Sequence, residues 1–189
     1  MKAAGVMAAA CALAFGMAAQ GWAEATDGAS ETVVASAALG GPEARNPATG
    51  SVTGLPLPRY VSLKTGVGNA RRGPGLTHRI DWVFTRVGMP LRITAEHEHW
   101  RRVEDAEGAG GWVHYALLSG SRTVLIDKDM VEFRSQPDMT AKVVFQAELG
   151  VVGRVQECRA DWCRIAMDGE RGWVPVSALW GVTPGEVID

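Results

Sequence analysis

Gly-Trp-Val-His-Tyr-Ala-Leu-Leu at residues 111–118 returns as Gly-Trp-Val-Pro-Val-Ser-Ala-Leu at residues 172–179. Upstream of each copy, Trp-Arg-Arg-Val at 100–103 corresponds to Trp-Cys-Arg-Ile at 162–165. The same landmarks occur twice in the same order, which indicates that one module has been duplicated. A folding unit of about 60 residues is typical of a small barrel or sandwich rather than of an enzyme domain.

Both copies have the residue alternation of β-strands. Leu-Arg-Ile-Thr-Ala-Glu at 91–96 alternates at period two, and residues 151–156 and 162–167 are rich in the same residue types. Asp168-Gly169 is a hairpin turn signal, and the Gly-rich residues 107–111 are its longer counterpart. The sequence therefore predicts an all-β fold built from two small barrels.

The N-terminal 23 residues have the composition of a secretory signal peptide. Lys2 is followed by an apolar run at residues 3–19, and small residues precede Glu24. A membrane anchor is the alternative, but the run is shorter than the roughly 20 residues that span a bilayer. Lipid attachment at Cys11 is a weaker alternative. We expect cleavage after Ala23, export across the inner membrane to the periplasm, and no stable membrane insertion of the mature chain.

Residues 24–57 differ in composition from the two repeats, since Ala, Ser, Thr, Gly and Pro dominate and no periodicity persists. Such a segment cannot bury enough apolar surface to offset its ordering entropy, which predicts a disordered linker. The first barrel is placed at residues 58–120, the second at 121–181, and a C-terminal tail at 182–189. The formal net charge of −2, together with export, gives no support for a nucleic-acid partner.

Cys158 and Cys163 are separated by four residues, a spacing that suits two strands joined by a tight turn. In an oxidising compartment, thiols that face each other across a hairpin form a disulfide. A redox-active or metal-binding pair is the alternative, but the spacing is not Cys-x-x-Cys. We therefore predict a structural disulfide.

The alignment of the repeats also predicts how the first one closes its hairpin. Placing Trp100 on Trp162 puts Glu96 at the position of Cys158 and Arg101 at that of Cys163. An exposed cross-strand ion pair is then expected where the second repeat has its disulfide. Because such pairs are weak, the hairpin tip of the first repeat is expected to be the more mobile of the two.

Histidines supply the candidate metal site. His97 and His99 share a face if their strand continues, and His78 or His114 would complete a zinc or copper site. His97 and His99 align with the turn of the second repeat, however, so an exposed polar loop is the simpler interpretation. For hydrolysis, the candidate nucleophiles are the thiols of Cys158 and Cys163, and disulfide formation would consume both thiols. The chain is predicted to be no enzyme and to hold no metal or cofactor.

The order of the landmarks resembles the bacterial SH3-like (SH3b) domain. Asn-Ala-Arg-Arg-Gly-Pro at 69–74 and Glu-Phe-Arg-Ser-Gln-Pro at 132–137 come first, followed by an alternating strand, Trp-x-x-[Val/Ile], and Gly-Trp-Val with an apolar turn. Both repeats are covered. Residues 81–86 and the cysteine hairpin further resemble a group of exported tandem SH3b proteins from Gram-negative bacteria.

What the resemblance implies is a binding module, since SH3b domains accompany cell-wall enzymes and tether them to peptidoglycan or peptides. The implied groove residues are Trp100, His114 and Leu117 in the first repeat and Trp162 and Pro175 in the second. Leu117 stands where eukaryotic relatives have a Tyr, so recognition of a proline-rich helix loses an aromatic wall.

Two functions from different classes are consistent with these observations. The first is an exported, non-catalytic binding module for a cell-envelope ligand, either peptidoglycan or a peptide of an envelope protein. The second is a structural or assembly role, in which the two barrels pack together as a scaffold for a periplasmic partner protein. Retention on purified peptidoglycan sacculi separates them.

Overall fold

The computed structural model describes residues 48–189, in which short strands alternate with tight turns. The predicted signal peptide and residues 24–47 of the predicted linker lie outside the described residues. The strands up to the end of the first repeat are β1 (Ala48–Thr49), β2 (Pro56–Leu57), β3 (Arg59–Leu63), β4 (Gly68–Arg71), β5 (Ile80–Phe84), β6 (Pro90–His97), β7 (Trp100–Glu104), β8 (Gly110–His114) and β9 (Leu118–Ser119).

The second repeat has the same plan. Its strands are β10 (Thr123–Ile126), β11 (Val131–Arg134), β12 (Val143–Ala147), β13 (Val152–Arg159), β14 (Trp162–Met167), β15 (Glu170–Pro175) and β16 (Leu179–Trp180). Single 3-10 turns at Tyr115–Leu117 and Val176–Ala178 connect β8 to β9 and β15 to β16. Within residues 48–189, no helix has the length and apolar character needed to cross a membrane.

The two repeats share one topology. Each forms a seven-stranded sheet, in the order β5-β4-β8-β7-β6-β3-β9 and β12-β11-β15-β14-β13-β10-β16. Replacing each strand of the first order by its counterpart in the second repeat gives the second order, and the pairs are antiparallel. The all-β fold with two tandem barrels that the repeated landmarks predict is confirmed.

Each sheet encloses a core of its own. Because side chains alternate between the faces of a strand, Val103 and Val113 point inward and are almost fully buried, while Arg102 and Trp112 lie on the outer face. Burial of each large core side chain contributes about 1.5–3 kcal/mol. The largest buried side chains are Leu63, Phe84, Leu91 and Ile93 in the first core and Ile126, Phe133 and Ile165 in the second.

A short hairpin occupies the end of the predicted linker. Strand β1 pairs with β2, and Leu57 is buried against the first core. The backbone N–H groups of Val52 and Thr53 donate hydrogen bonds to the Glu96 carboxylate at 3.0 and 2.9 Å. Residues 48–57 are therefore ordered rather than linker, because a buried carboxylate of the first barrel holds their turn.

The two repeats contact each other through aromatic and polar groups. The rings of Tyr60 and Trp180 meet edge to face, with centroids 5.2 Å apart. The Arg122 guanidinium lies 5.8 Å from the centroid of the Tyr60 ring. Arg86 donates a hydrogen bond of 2.7 Å to the carbonyl oxygen of Gly150. Both barrels accordingly belong to one structural unit.

The C-terminal tail returns to the second barrel. Val182 is buried in its core. Ile188 exchanges two backbone hydrogen bonds with Cys158, at 2.8 and 3.2 Å. Glu186 accepts a hydrogen bond of 3.0 Å from Arg122. Residues 182–189 thus complete the second barrel, as the β1–β2 hairpin completes the first.

Candidate functional site

The second repeat carries a groove at the tip of its cysteine hairpin. Trp162 and Pro175 face each other across β14 and β15. They open onto a cavity of about 590 Å³. Its other walls come from the β11–β12 loop, the hairpin turn and the tail, and its principal lining residues are Met139, Asp161, Trp162, Pro175, Val182 and Pro184.

Local geometry explains why Trp162 stands at the rim of the groove. The turn between β13 and β14 contains Ala160 in a left-handed conformation, with φ of 49°. Trp162 begins β14 directly after that turn and is only half-buried. The backbone N–H of Val176 donates to the carbonyl oxygen of Asp161 at 2.8 Å, which fixes the turn to the 3-10 segment beneath the groove.

The first repeat has a different surface at the same position. Trp100 pairs with His114 across β7 and β8, and the His114 ring lies edge to face on the indole with centroids 5.5 Å apart. Trp100 is only 8% exposed. His99 and Tyr115 extend this cluster, with ring centroids 6.0 and 4.9 Å from that of His114. The indole is thus covered by an imidazole rather than open as a platform.

Leu117 is directed away from this surface. It packs against the core of the first barrel, and its carbonyl oxygen accepts a hydrogen bond of 2.8 Å from the N–H of Lys64. Of the predicted groove residues, the structure therefore brings together Trp100 with His114 and Trp162 with Pro175, and separates Leu117 from both pairs. That these residues bind a ligand stays a prediction.

Three wall residues of the second groove lie outside the repeated motifs. Met139 belongs to the β11–β12 loop, and Val182 and Pro184 come after the last landmark of the repeat. In the sequence, the apolar residues Val182 and Ile188 and the nearby Pro184 are the signal that this tail contacts the barrel.

The cysteines form the predicted disulfide. Cys158 and Cys163 face each other in register across β13 and β14 and are bonded. Both are almost fully buried, with 1% and 0% exposure. The disulfide therefore closes the hairpin that presents Trp162 to the groove. Among the residues that the structure describes, no group of three His, Cys, Asp or Glu side chains is arranged to hold a metal ion.

The corresponding pair in the first repeat differs from the prediction in its burial. Glu96 and Arg101 are indeed cross-strand neighbours, 3.4 Å apart. The Glu96 side chain is fully buried, however, and also accepts hydrogen bonds from Arg59 Nη2 at 2.6 Å and Thr53 Oγ1 at 2.7 Å. An exposed and weak ion pair is the wrong description, since the β1–β2 hairpin covers it.

This network sets the protonation of Glu96. Burial raises the pKa of its carboxyl, but the hydrogen bonds from Thr53, Arg59 and Val52 outweigh burial and lower that pKa to about 2. Glu96 is consequently ionised throughout the physiological pH range and serves as an anchor for the hairpin.

Comparison of the sequence with known protein families also finds one domain in two copies. The sequence model of the Bacterial SH3 domain matches residues 64–120 and 127–181. Among curated proteins none matches. Two solved structures from Trichomonas vaginalis, NlpC2 and NlpC1, align over 65% of this chain at 14% and 16% identity, each with a TM-score of 0.31. The alignments span 48% and 45% of those chains, so this chain covers about half their length.

The two family matches together span more than half of the chain, and each contains one cross-strand Trp pair at its hairpin, Trp100 with His114 and Trp162 with Pro175. Each match also contains the Gly-Trp-Val strand that comes next in the chain. The chain therefore belongs to the bacterial SH3 domain family, and it carries the domain in two tandem copies.

Proposed function

We propose that this protein is an exported, non-catalytic binding module whose second repeat holds a cell-envelope ligand, either peptidoglycan or a peptide of an envelope protein. Bacterial SH3 domains are often cell-wall binding modules, which supports the ligand class. The observation that carries the proposal is the open groove in which Trp162 and Pro175 form adjacent walls.

The chemistry of the groove suits an extended ligand with apolar faces. The Trp162 indole and the Pro175 ring offer flat surfaces on which a sugar or a peptide side chain packs. Met139, Val182 and Pro184 extend the apolar wall. Its volume of about 590 Å³ falls within the range of about 300–1,000 Å³ that is usual for binding sites.

Few polar groups border this groove. Asp161 and Ser177 supply one carboxylate and one hydroxyl, and both residues are exposed. Such sparse polar groups fix the orientation of a ligand. The lining holds neither a histidine nor a cysteine, so the composition of this groove favours binding over nucleophilic catalysis.

A pull-down with purified peptidoglycan sacculi tests the proposal. The protein is expected to sediment with sacculi at moderate salt, and Trp162→Ala is expected to reduce retention at least tenfold, since a central aromatic anchor contributes about 2 kcal/mol or more. Trp82→Ala is the matched control, because Trp82 is an exposed tryptophan on the edge strand β5. Equal loss for both variants, or no retention of the unmodified protein, contradicts a peptidoglycan ligand in this groove.

A scaffold function is the second candidate, and the contact between Tyr60 and Trp180 favours it because it joins the two barrels. A scaffold that presents both barrels to one partner would fail when they are uncoupled. Tyr60→Ala is therefore expected to abolish scaffolding but to leave binding in the second groove intact. Sacculus retention that survives in Tyr60→Ala and fails in Trp162→Ala favours the binding module.

A further inference from the structure

The outer face of the first barrel carries a row of alternating cationic and aromatic side chains. Arg71, Trp112 and Arg102 are direct neighbours in register on the adjacent strands β4, β8 and β7. The core-facing neighbours Ala70 and Val113 are fully buried, so the row points away from the core. One indole is thereby placed between two guanidinium groups.

Positive charge exceeds negative charge around this row. Arg72 and Arg79 share a single carboxylate, that of Asp81, with Nε–Oδ distances of 2.9 and 2.5 Å. Arg71 donates to the carbonyl oxygens of Leu76 and His78 at 3.0 and 2.6 Å, which orients the guanidinium without neutralising it.

Arg102 adds a further charge. It is exposed, and within residues 48–189 its guanidinium pairs with no carboxylate. Four guanidinium groups thus meet one carboxylate, a formal surplus of three positive charges. Repulsion between these like charges destabilises the folded state, and a bound anion would reduce that repulsion.

Space for an anion exists between these groups. Arg71, Arg72 and Arg102 line a cavity of about 290 Å³ beside Trp112. Asp81 also lines it, with its carboxylate ion-paired to Arg72 and Arg79. Its floor is Gly110 and Gly111, where a Cβ atom would lie 2.0 Å from the carbonyl oxygen of Val103 and 2.6 Å from that of Arg71. The close approach of the strands therefore excludes side chains from the floor and leaves the cavity open.

The second repeat lacks this arrangement although it retains the row. Arg134, Trp173 and Arg164 occupy the positions of Arg71, Trp112 and Arg102. Arg134 is ion-paired with Glu132. Ser135 replaces Arg72, and Arg171 replaces the floor residue Gly110. A third cavity-lining arginine and a glycine at the first floor position are therefore specific to the first repeat.

We propose that the cavity bounded by Arg71, Arg72, Arg102 and Trp112 binds a phosphate group. A phosphate carries about −1.5 to −2 charge and three strong acceptor oxygens. It therefore offers more charge and one more acceptor oxygen to the guanidinium groups than a carboxylate does. The body that bears the phosphate packs against the Trp112 indole. This site lies on the other repeat from the Trp162 groove and does not depend on ligand binding there.

Titration with inorganic phosphate at constant ionic strength tests the site in the full-length protein. The indole N–H signal of Trp112 and the Arg Nε–H signals of the row are expected to shift in nitrogen-proton correlation spectra. Arg102→Gln is expected to weaken binding at least tenfold, because it removes a charge-assisted hydrogen-bond donor. Arg164→Gln, the equivalent change in the second repeat, is the matched control and is expected to leave affinity within twofold.

Two further measurements make the outcome decisive. An unchanged melting temperature shows that Arg102→Gln folds, and Arg72→Gln is expected to reproduce its loss. Co-sedimentation with phosphatidylcholine vesicles that contain phosphatidic acid, compared with titration by glucose 6-phosphate, distinguishes a lipid headgroup from a soluble phosphate ester; Arg102-dependent binding of either supports the site. Absence of Trp112 shifts with inorganic phosphate, or equal losses in Arg102→Gln and Arg164→Gln, overturns it.

Discussion

The carboxylate of Glu96 lies 3.4 Å from Nε of Arg101, directly across the hairpin formed by β6 and β7. The second repeat has its disulfide between Cys158 and Cys163 at the same register. Two copies of one module therefore close the same hairpin with different chemistry. One closure is therefore expected to respond to pH and the other to redox conditions.

Acidification is expected to weaken the first repeat through Glu96. Its pKa is about 2 in the folded protein and near 4.5 in the unfolded chain, so the unfolded state takes up the proton first as the pH falls. The stabilisation is fully present above pH 4.5 and is lost as the pH falls towards 2. Urea unfolding at several pH values is expected to show a loss of about 3 kcal/mol over this window.

Glu96→Gln supplies the test of that assignment. The variant is expected to be less stable by about 3 kcal/mol at neutral pH, and its free energy of unfolding should depend less on pH below pH 4.5. Glu98→Gln is the control, because Glu98 is exposed at the tip of the same hairpin. If Glu98→Gln changes the pH dependence of unfolding below pH 4.5 as much as Glu96→Gln does, the hydrogen-bonded cluster at Glu96 is not the source of that dependence.

Reduction is expected to act on the second repeat alone. In denaturant without a reductant, Cys158 and Cys163 should resist alkylation, and both should react once reductant is added. Because the closed loop is short, the Cys158→Ser and Cys163→Ser double variant should lose about 2 kcal/mol of stability. Alkylation of either residue before reduction, detected by peptide mass mapping, would refute the bond.

The equivalent tryptophans of the two repeats are expected to respond differently to truncation. Trp100 is almost fully buried, so Trp100→Ala should cost about 3–5 kcal/mol of stability. Trp162 is half-buried at the groove, so Trp162→Ala should shift the melting temperature by only a few degrees. Thermal unfolding followed by circular dichroism compares them; similar losses in both would place Trp162 in the core.

Uncoupling the barrels should be visible by calorimetry. Tyr60→Ala removes the ring that contacts both Trp180 and Arg122. We expect unfolding to broaden or split into two transitions, since each barrel has its own core. Tyr115→Ala, at an exposed tyrosine, is the control and should retain the original profile. A single unchanged transition in Tyr60→Ala would show that other contacts couple the repeats.

The repeated landmarks and the cysteine spacing were sufficient to predict the barrels and the disulfide, because both depend on local strand and turn signals. The same register argument placed Glu96 opposite Arg101 correctly. It could not predict their burial, since the cover comes from residues 48–57, whose Ser, Thr, Gly and Pro composition carries no strand periodicity. Their order depends on a carboxylate more than forty positions away.

The groove shows the same limit. The resemblance to SH3b domains implied that Trp162 and Pro175 belong to one groove, but Met139, Val182 and Pro184 reach the site from a loop and from the tail. The resemblance also assigned Trp100 and Trp162 the same role, although the imidazole of His114 covers one indole and a Pro ring lies beside the other. Long-range contacts of this kind leave no spacing signal.

Because the C-terminal tail lines the groove, the groove extends beyond the last residue of the family match. The family match ends at residue 181, whereas Val182 and Pro184 still contact the cavity and Ile188 pairs with Cys158. A recombinant fragment that ends at residue 181 would keep all the strands of the second barrel but would lose one wall of the groove. A ligand screen on such a fragment would therefore probe a groove that lacks the wall residues Val182 and Pro184.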